Sequence, residues 1–196
     1  MAILNNLYWL SRIFFRRWAW IGLICLILLP ALSGAKAWSA DFNPGQIRAA
    51  FIYNLANFVD WSAEDGRKDE HTFVIAVIGD DEILSNLKIL LKDEHIKGKA
   101  MEVKRYASIT DVSDCQILYV GASTTENMIH ILKATTDNST LTVGASDGFI
   151  NLGGMVNLRY QKRRMKIEIN LDAAQKVGIN FNAKLLKLAT IVNLNN

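Results

Sequence analysis

The chain has 196 residues, 22 of them Lys or Arg against 19 Asp or Glu, for a formal net charge of +3. Arg12, Arg16, Arg17 and Lys36 all lie in the first 37 positions, which hold no acid, so the remainder carries 18 basic against 19 acidic groups. That near-neutral balance excludes a global electrostatic case for nucleic-acid binding, and the length suits one domain with a real core.

The basic start runs into the 12-residue apolar stretch Trp18–Leu29, which Pro30 breaks before the small-residue site Ala35-Lys36-Ala37. This order predicts a secretory signal peptide over 1–37 and an exported, periplasmic domain over 38–196. The competing reading is an uncleaved anchor, which needs about 20 apolar residues. Cys25 leaves with the leader, so Cys115 can form no internal disulfide. It is expected to be buried beside Ile117–Val120, with pairing between chains as the alternative.

Asn43 and Pro44 are an N-cap and a first helical residue, and Ile47, Phe51, Leu55 and Phe58 recur at helical spacing. The helix is expected to end near Asp60, with Trp61 as an aromatic anchor at its exit. Residues 62–71 form a polar connector. Phe73–Ile78 is an apolar, β-branched run that suits a central strand covered on both faces. Asp80 caps a helix marked by Ile83, Leu84, Leu87, Leu90 and Leu91. Met101–Tyr106 alternates as a half-exposed strand, and Ile117–Val120 is the next buried one. Ser123 to Glu126 fits a capping box before Met128, Ile131 and Leu132. Leu141–Val143 is a third short apolar strand.

The pattern then changes. Glycines stand at 144, 148, 153 and 154, followed by alternating runs at Met155–Tyr160 and Met165–Leu171 joined by residues 161–164. These predict an antiparallel hairpin with one wet face. A short helix over Asp172–Lys176 closes at Gly178. Asn182 caps a last helix carrying Leu185, Leu186, Leu188 and Ile191. The expected class is α/β: a single domain with a mixed, mostly parallel sheet flanked by helices and a C-terminal antiparallel hairpin.

Candidate chemistry is sparse. Gly144-Ala-Ser-Asp-Gly148 has the G-x-S-x-G spacing of a nucleophile elbow, but His71, His95 and His130 all precede Ser146, and the elbow needs a later His. Asp80 and Asp81 would repel a phosphate at the first strand end. No His or Cys spacing suits a metal. The basic run Arg159, Lys162, Arg163, Arg164 and Lys166 sits on the hairpin, either as a solvated turn or as a surface that steers an acidic partner. A binder without catalytic residues, cofactor or metal is the expected class.

Ala49–Trp61 resembles the opening helix of YfiR-like periplasmic proteins, and Gly148–Leu158 running into Lys166–Asn170 resembles their glycine-rich segment and hairpin. Leu185–Ala189 is similar to their ending, so the resemblance spans residues 44–192. It implies a non-enzymatic domain that binds the periplasmic sensor region of a YfiN-type inner-membrane diguanylate cyclase. Such binding represses cyclic-di-GMP synthesis and biofilm formation. An outer-membrane or peptidoglycan-associated antagonist and a homodimer belong to the same implied picture. Members with internal disulfides differ from this chain, whose mature part has one Cys.

Two partner-binding patches are expected on that basis. One is aromatic, with Phe51, Tyr53, Phe58 and Trp61, for which core packing is the competing role. The other is the hairpin, with Asn157, Arg159, Arg163 and Arg164. The alternative function is a periplasmic small-ligand sensor or carrier with no cyclase partner.

Overall fold

The run Phe73–Ile78 becomes the centre of the molecule. In the computed structural model the described residues are 43–61, 71–112, 114–122, 124, 128–135 and 139–193. The leader 1–37, Trp38, connector residues 62–70, and Ser123 and Glu126 of the expected capping box lie outside them. Residues 42–196 form one compact unit.

In chain order the elements are α1 (Pro44–Phe58), β1 (Val59–Asp60), β2 (Thr72–Ile78), α2 (Asp81–Leu90), β3 (His95–Ile96), β4 (Lys99–Tyr106) and a 3₁₀ turn at Ile109–Asp111. Then come β5 (Ile117–Val120), α3 (Met128–Ala134), β6 (Leu141–Gly144), β7 (Val156–Gln161) and β8 (Arg164–Ile169). The chain continues through α4 (Leu171–Lys176), β9 (Asn180–Phe181), α5 (Ala183–Leu188) and β10 (Thr190–Ile191). Eight strands form one sheet in the order β10-β8-β7-β6-β5-β2-β4-β3. β4, β2, β5, β6 and β7 run parallel, and β7 turns back into antiparallel β8. The expected α/β class, the mostly parallel sheet and the C-terminal hairpin are all present.

Alternation along the central strands divides the core in two. Phe73, Ile75 and Val77 face one side with Ala49, Ile52 and Leu55 of α1, Ile83 and Leu87 of α2, Ala174 of α4 and Leu185 of α5. Val74, Ala76 and Ile78 face the other side with Met128, Ile131 and Leu132 of α3 and with Phe149. Burying each such aliphatic side chain contributes about 1.5–3 kcal/mol relative to leaving it exposed.

Caps act as the residue types suggest. Asn43 Oδ1 accepts from Gly45 N at 2.8 Å, Asp80 Oδ1 from Ile83 N at 3.0 Å and Asn182 Oδ1 from Leu185 N at 3.0 Å. Cys115 is 1% exposed, which favours the buried alternative over pairing between chains.

Several expectations need correction. α1 stops at Phe58 rather than near Asp60, because Val59 and Asp60 pair antiparallel with Phe181 and Asn180. Its buried stripe is Ala49, Ile52, Leu55 and Ala56, so Phe51 and Phe58 lie on the flanks. Leu90 is 38% exposed and Leu188 72% exposed, each having rotated past the buried stripe of its helix. Ile191 leaves the last helix for the edge strand β10, parallel to β8. Among the described residues no helix is long and apolar enough to cross a membrane.

Candidate partner-binding surface

The hairpin tip is built against local preference. β7 and β8 pair from Val156↔Ile169 out to Gln161↔Arg164, leaving the two-residue turn Lys162-Arg163. Both turn residues have left-handed backbone, φ 50° and 61°. Such turns favour Asn-Gly, because a side chain in that region costs about 1–2 kcal/mol. Here two long cations occupy both positions. Both are exposed, as is Arg164 beside them, so positive charge concentrates at the tip.

Lower on the same face the hairpin is not wet. Asn157 is 1% exposed, and its Nδ2 donates to Ser146 O at 3.0 Å and Glu168 Oε2 at 2.9 Å. Its Oδ1 is buried without a donor. Asn157 therefore belongs to the interior, because the glycine-rich loop folds over it. Arg159, opposite Lys166, reaches Asp147 at 2.6 Å and Glu168 at 3.6 Å. Its side chain is 27% exposed and its charge is taken up within the protein, pinning the loop to the hairpin. Asp147 and Glu168 were not singled out by sequence. The alternation that puts Glu168 on the face of Lys166 was the available signal.

The loop is held by one ring. Phe149 is fully buried, seated between Gly144 at the end of β6 and Gly154 before β7. A Cβ on either glycine would overlap its ring carbons. The Ser146 hydroxyl donates to Met128 Sδ at 3.8 Å.

The aromatic patch lies at the other end of the sheet. Trp61 meets Phe73, at the start of β2, edge to face with ring centres 5.3 Å apart, and its Nε1 donates to Ala56 O at 3.0 Å. The hairpin tip follows the end of β7, which runs parallel to β2, so the structure does not unite the two patches. Phe51, Phe58 and Trp61 are half-buried against the main core. Tyr53 is also half-buried, and its hydroxyl reaches out to Glu94 Oε2 at 3.2 Å.

Open sheets of this kind bind ligands where the chain reverses its direction of winding, here between the ends of β2 and β5. There the backbones of Gly79 and Gly121 approach closely. Gly121 N donates to Ile78 O at 2.8 Å, and a Cβ at Gly121 would meet Asp80 Cβ at 2.9 Å. Beneath it Tyr119, fully buried, donates to Asp80 Oδ2 at 3.2 Å. Arg48 stands near that pair and donates from Nε to Leu158 O at 3.3 Å. Burial pushes the Tyr119 hydroxyl well above its usual 10.0, with Arg48 opposing and Asp80 reinforcing the shift.

The neutral phenol is thus favoured in the fold. Its contribution to stability is complete below about pH 10 and is lost as pH rises toward the folded value. Tyr119→Phe should cost about 1.5–3 kcal/mol at pH 8, the worth of a hydrogen bond to a carboxylate. Urea melts at pH 8 and pH 11 should show the gap from wild type narrowing. A constant gap would refute the assignment.

Among the described residues no group of three or more His, Cys, Asp or Glu is placed to hold a metal ion. A family model described as YfiR/HmsC-like matches residues 45–190. No curated protein matches the chain. Among solved structures, a conserved domain protein from Vibrio cholerae O1 biovar El Tor is similar with a TM-score of 0.54 and 14% identity, over 77% of this chain and 60% of that one. An ABC domain from Streptococcus pneumonia, in complex with L-Trp, is similar with a TM-score of 0.52 and 12% identity, over 76% of this chain and 61% of that one. The chain spans about six tenths of the length of each, and at these identities the likeness is one of fold.

Proposed function

The chain belongs to the YfiR/HmsC-like family, and from that premise we propose that it is a non-enzymatic periplasmic regulator. It binds the periplasmic sensor region of an inner-membrane diguanylate cyclase and represses cyclic-di-GMP synthesis. The observation that carries the reading is the family match over residues 45–190, which takes in both the opening helix and the hairpin. Repression follows if the protein binds the inactive state of the cyclase more tightly than the active one.

The contact surface in this reading is the hairpin tip, with Lys162, Arg163 and Arg164 meeting an acidic face of the sensor. Arg159 and Asn157 hold the glycine-rich loop and Glu168 to the body of the hairpin. The tip keeps cations where Asn-Gly would be more stable, which fits a surface retained for binding. Phe51, Tyr53, Phe58 and Trp61 form a second, separate contact region, and a homodimer accords with the same reading.

The test uses the paired change Lys162→Asn and Arg163→Gly. It should raise the unfolding free energy by about 1 kcal/mol, by relieving two left-handed side chains. It should weaken capture of the cyclase's periplasmic region by about tenfold or more, through lost charge complementarity. Capture at wild-type affinity would remove the tip from the interface. Deleting the gene should raise cyclic-di-GMP. Unchanged levels would reject the repressor reading and leave the ligand carrier.

A further inference from the structure

The hairpin cations beyond Arg159 carry no counter-charge. Lys162, Arg163, Arg164 and Lys166 are exposed, and none forms an ion pair among the described residues. Neutralisation stops at Arg159, which Asp147 and Glu168 hold. On the other face of the hairpin, at the base of the tip, Tyr160 stands opposite Met165, and both are half-buried. Solvated cations thus sit above an aromatic ring and a thioether, a combination suited to a boundary between water and apolar surroundings.

The chain enters the domain at the same end. α1 begins beside α2, since a Cβ on Gly45 would meet the Glu82 carboxylate and the Asn86 amide. α2 starts just after β2 ends, and β2 runs parallel to β7, which leads into the tip. Trp61, past the far end of α1, lies against Phe73 at the start of β2. The apolar stretch Trp18–Leu29 therefore precedes, in sequence, the end of the sheet that carries the tip.

We propose that the hairpin tip docks on an anionic phospholipid surface, with Lys162, Arg163, Arg164 and Lys166 against the headgroups and Tyr160 at their inner edge. A bilayer presents anionic groups at every lateral position, so a projecting turn meets it without a matching pocket. The inference goes beyond the repressor reading and needs no cyclase. Lipid and an acidic sensor face would compete for the same cations, and either can fail alone.

The test is co-sedimentation of the exported protein with vesicles, no cyclase being present. One set is phosphatidylcholine alone, the other phosphatidylcholine with about one third phosphatidylglycerol. Binding should be confined to the anionic vesicles and released at about 0.5 M salt, where exposed charges are screened within a few ångströms. Arg164→Gln should weaken it by about fivefold, and the pair Lys162→Asn and Arg163→Gly by about 25-fold. That pair relieves left-handed side chains, so its melting midpoint should not fall and unfolding cannot explain the loss. Lys97→Asn with Lys99→Gln removes the same charge from the turn before β4, at the opposite end of the sheet, and should leave binding unchanged. Equal binding to both vesicle types, or equal loss in the two paired variants, would overturn the docking site. Soluble polyglutamate bound as tightly as anionic vesicles would overturn the bilayer as its occupant. Capture of the cyclase's periplasmic region, measured separately, is untouched by either failure.

Discussion

Phe149→Ala is expected to lower the unfolding free energy by about 3–5 kcal/mol, the range for a buried phenylalanine truncated to alanine. The ring is fully buried, packed with the side of the core that holds Ile78 and Met128. It sits in a slot that exists only because Gly144 and Gly154 carry no side chain. Little can collapse into the space it leaves, because both flanking positions are bare backbone, so the cavity term should be near its full size. Gly144→Ala and Gly154→Ala should also destabilise, for the opposite reason: each adds a Cβ where the ring already is. Thermal melts provide the measurement, at roughly 2–4 °C per kcal/mol for a domain of this size. Because the loop also covers Asn157, Phe149→Ala should speed hydrogen exchange along residues 145–154. A loss below about 1 kcal/mol would mean the ring is not the loop's anchor.

Trp61→Ala is expected to cost about 3 kcal/mol, the low end for a truncated aromatic core residue, because Trp61 is only half-buried. The loss combines the edge-to-face contact with Phe73 and the hydrogen bond to Ala56 O that closes the end of α1. The same variant separates the two roles open to this residue. As a core residue it lowers the melting midpoint, and capture of the cyclase sensor region is retained once the protein is folded. As a contact residue it leaves the midpoint in place and capture fails. A urea melt beside a capture assay reads both. Phe51 and Phe58, on the flanks of α1, are open to the same comparison.

Legibility in the sequence followed the range of the interaction. Asn43, Asp80 and Asn182 were readable as caps because a cap bonds two or three residues along the chain. β2 and β5 were readable because buried parallel strands are continuous apolar runs. The hairpin was readable because its two strands lie side by side in sequence. β1, β3, β9 and β10 are two residues each, too short for a period to show. Asn157 alternated with Val156 and Leu158 and so read as wet. Its burial depends on a loop folding over the face, and no alternation within β7 records that. Leu188 and Ile191 fitted a helical stripe, yet the chain leaves the helix after Leu188 to add an edge strand to β8.

By itself, the sequence determined the α/β class, the two-sided burial of the central strands, the caps and the hairpin, through periodicity and short-range hydrogen bonding. Its opening helix, glycine-rich segment and hairpin carried the family resemblance for the same reason, since each is a local pattern. Tertiary structure alone decided that Phe149 fills the glycine slot, that Asp147 and Glu168 take up the charge of Arg159, and that the tip and the aromatic patch stand at opposite ends of the sheet. It also decided that the chain at the ends of β2 and β5 meets at Gly79 and Gly121. A periodic pattern says which face of an element is buried, but what covers that face is settled only when distant segments pack together.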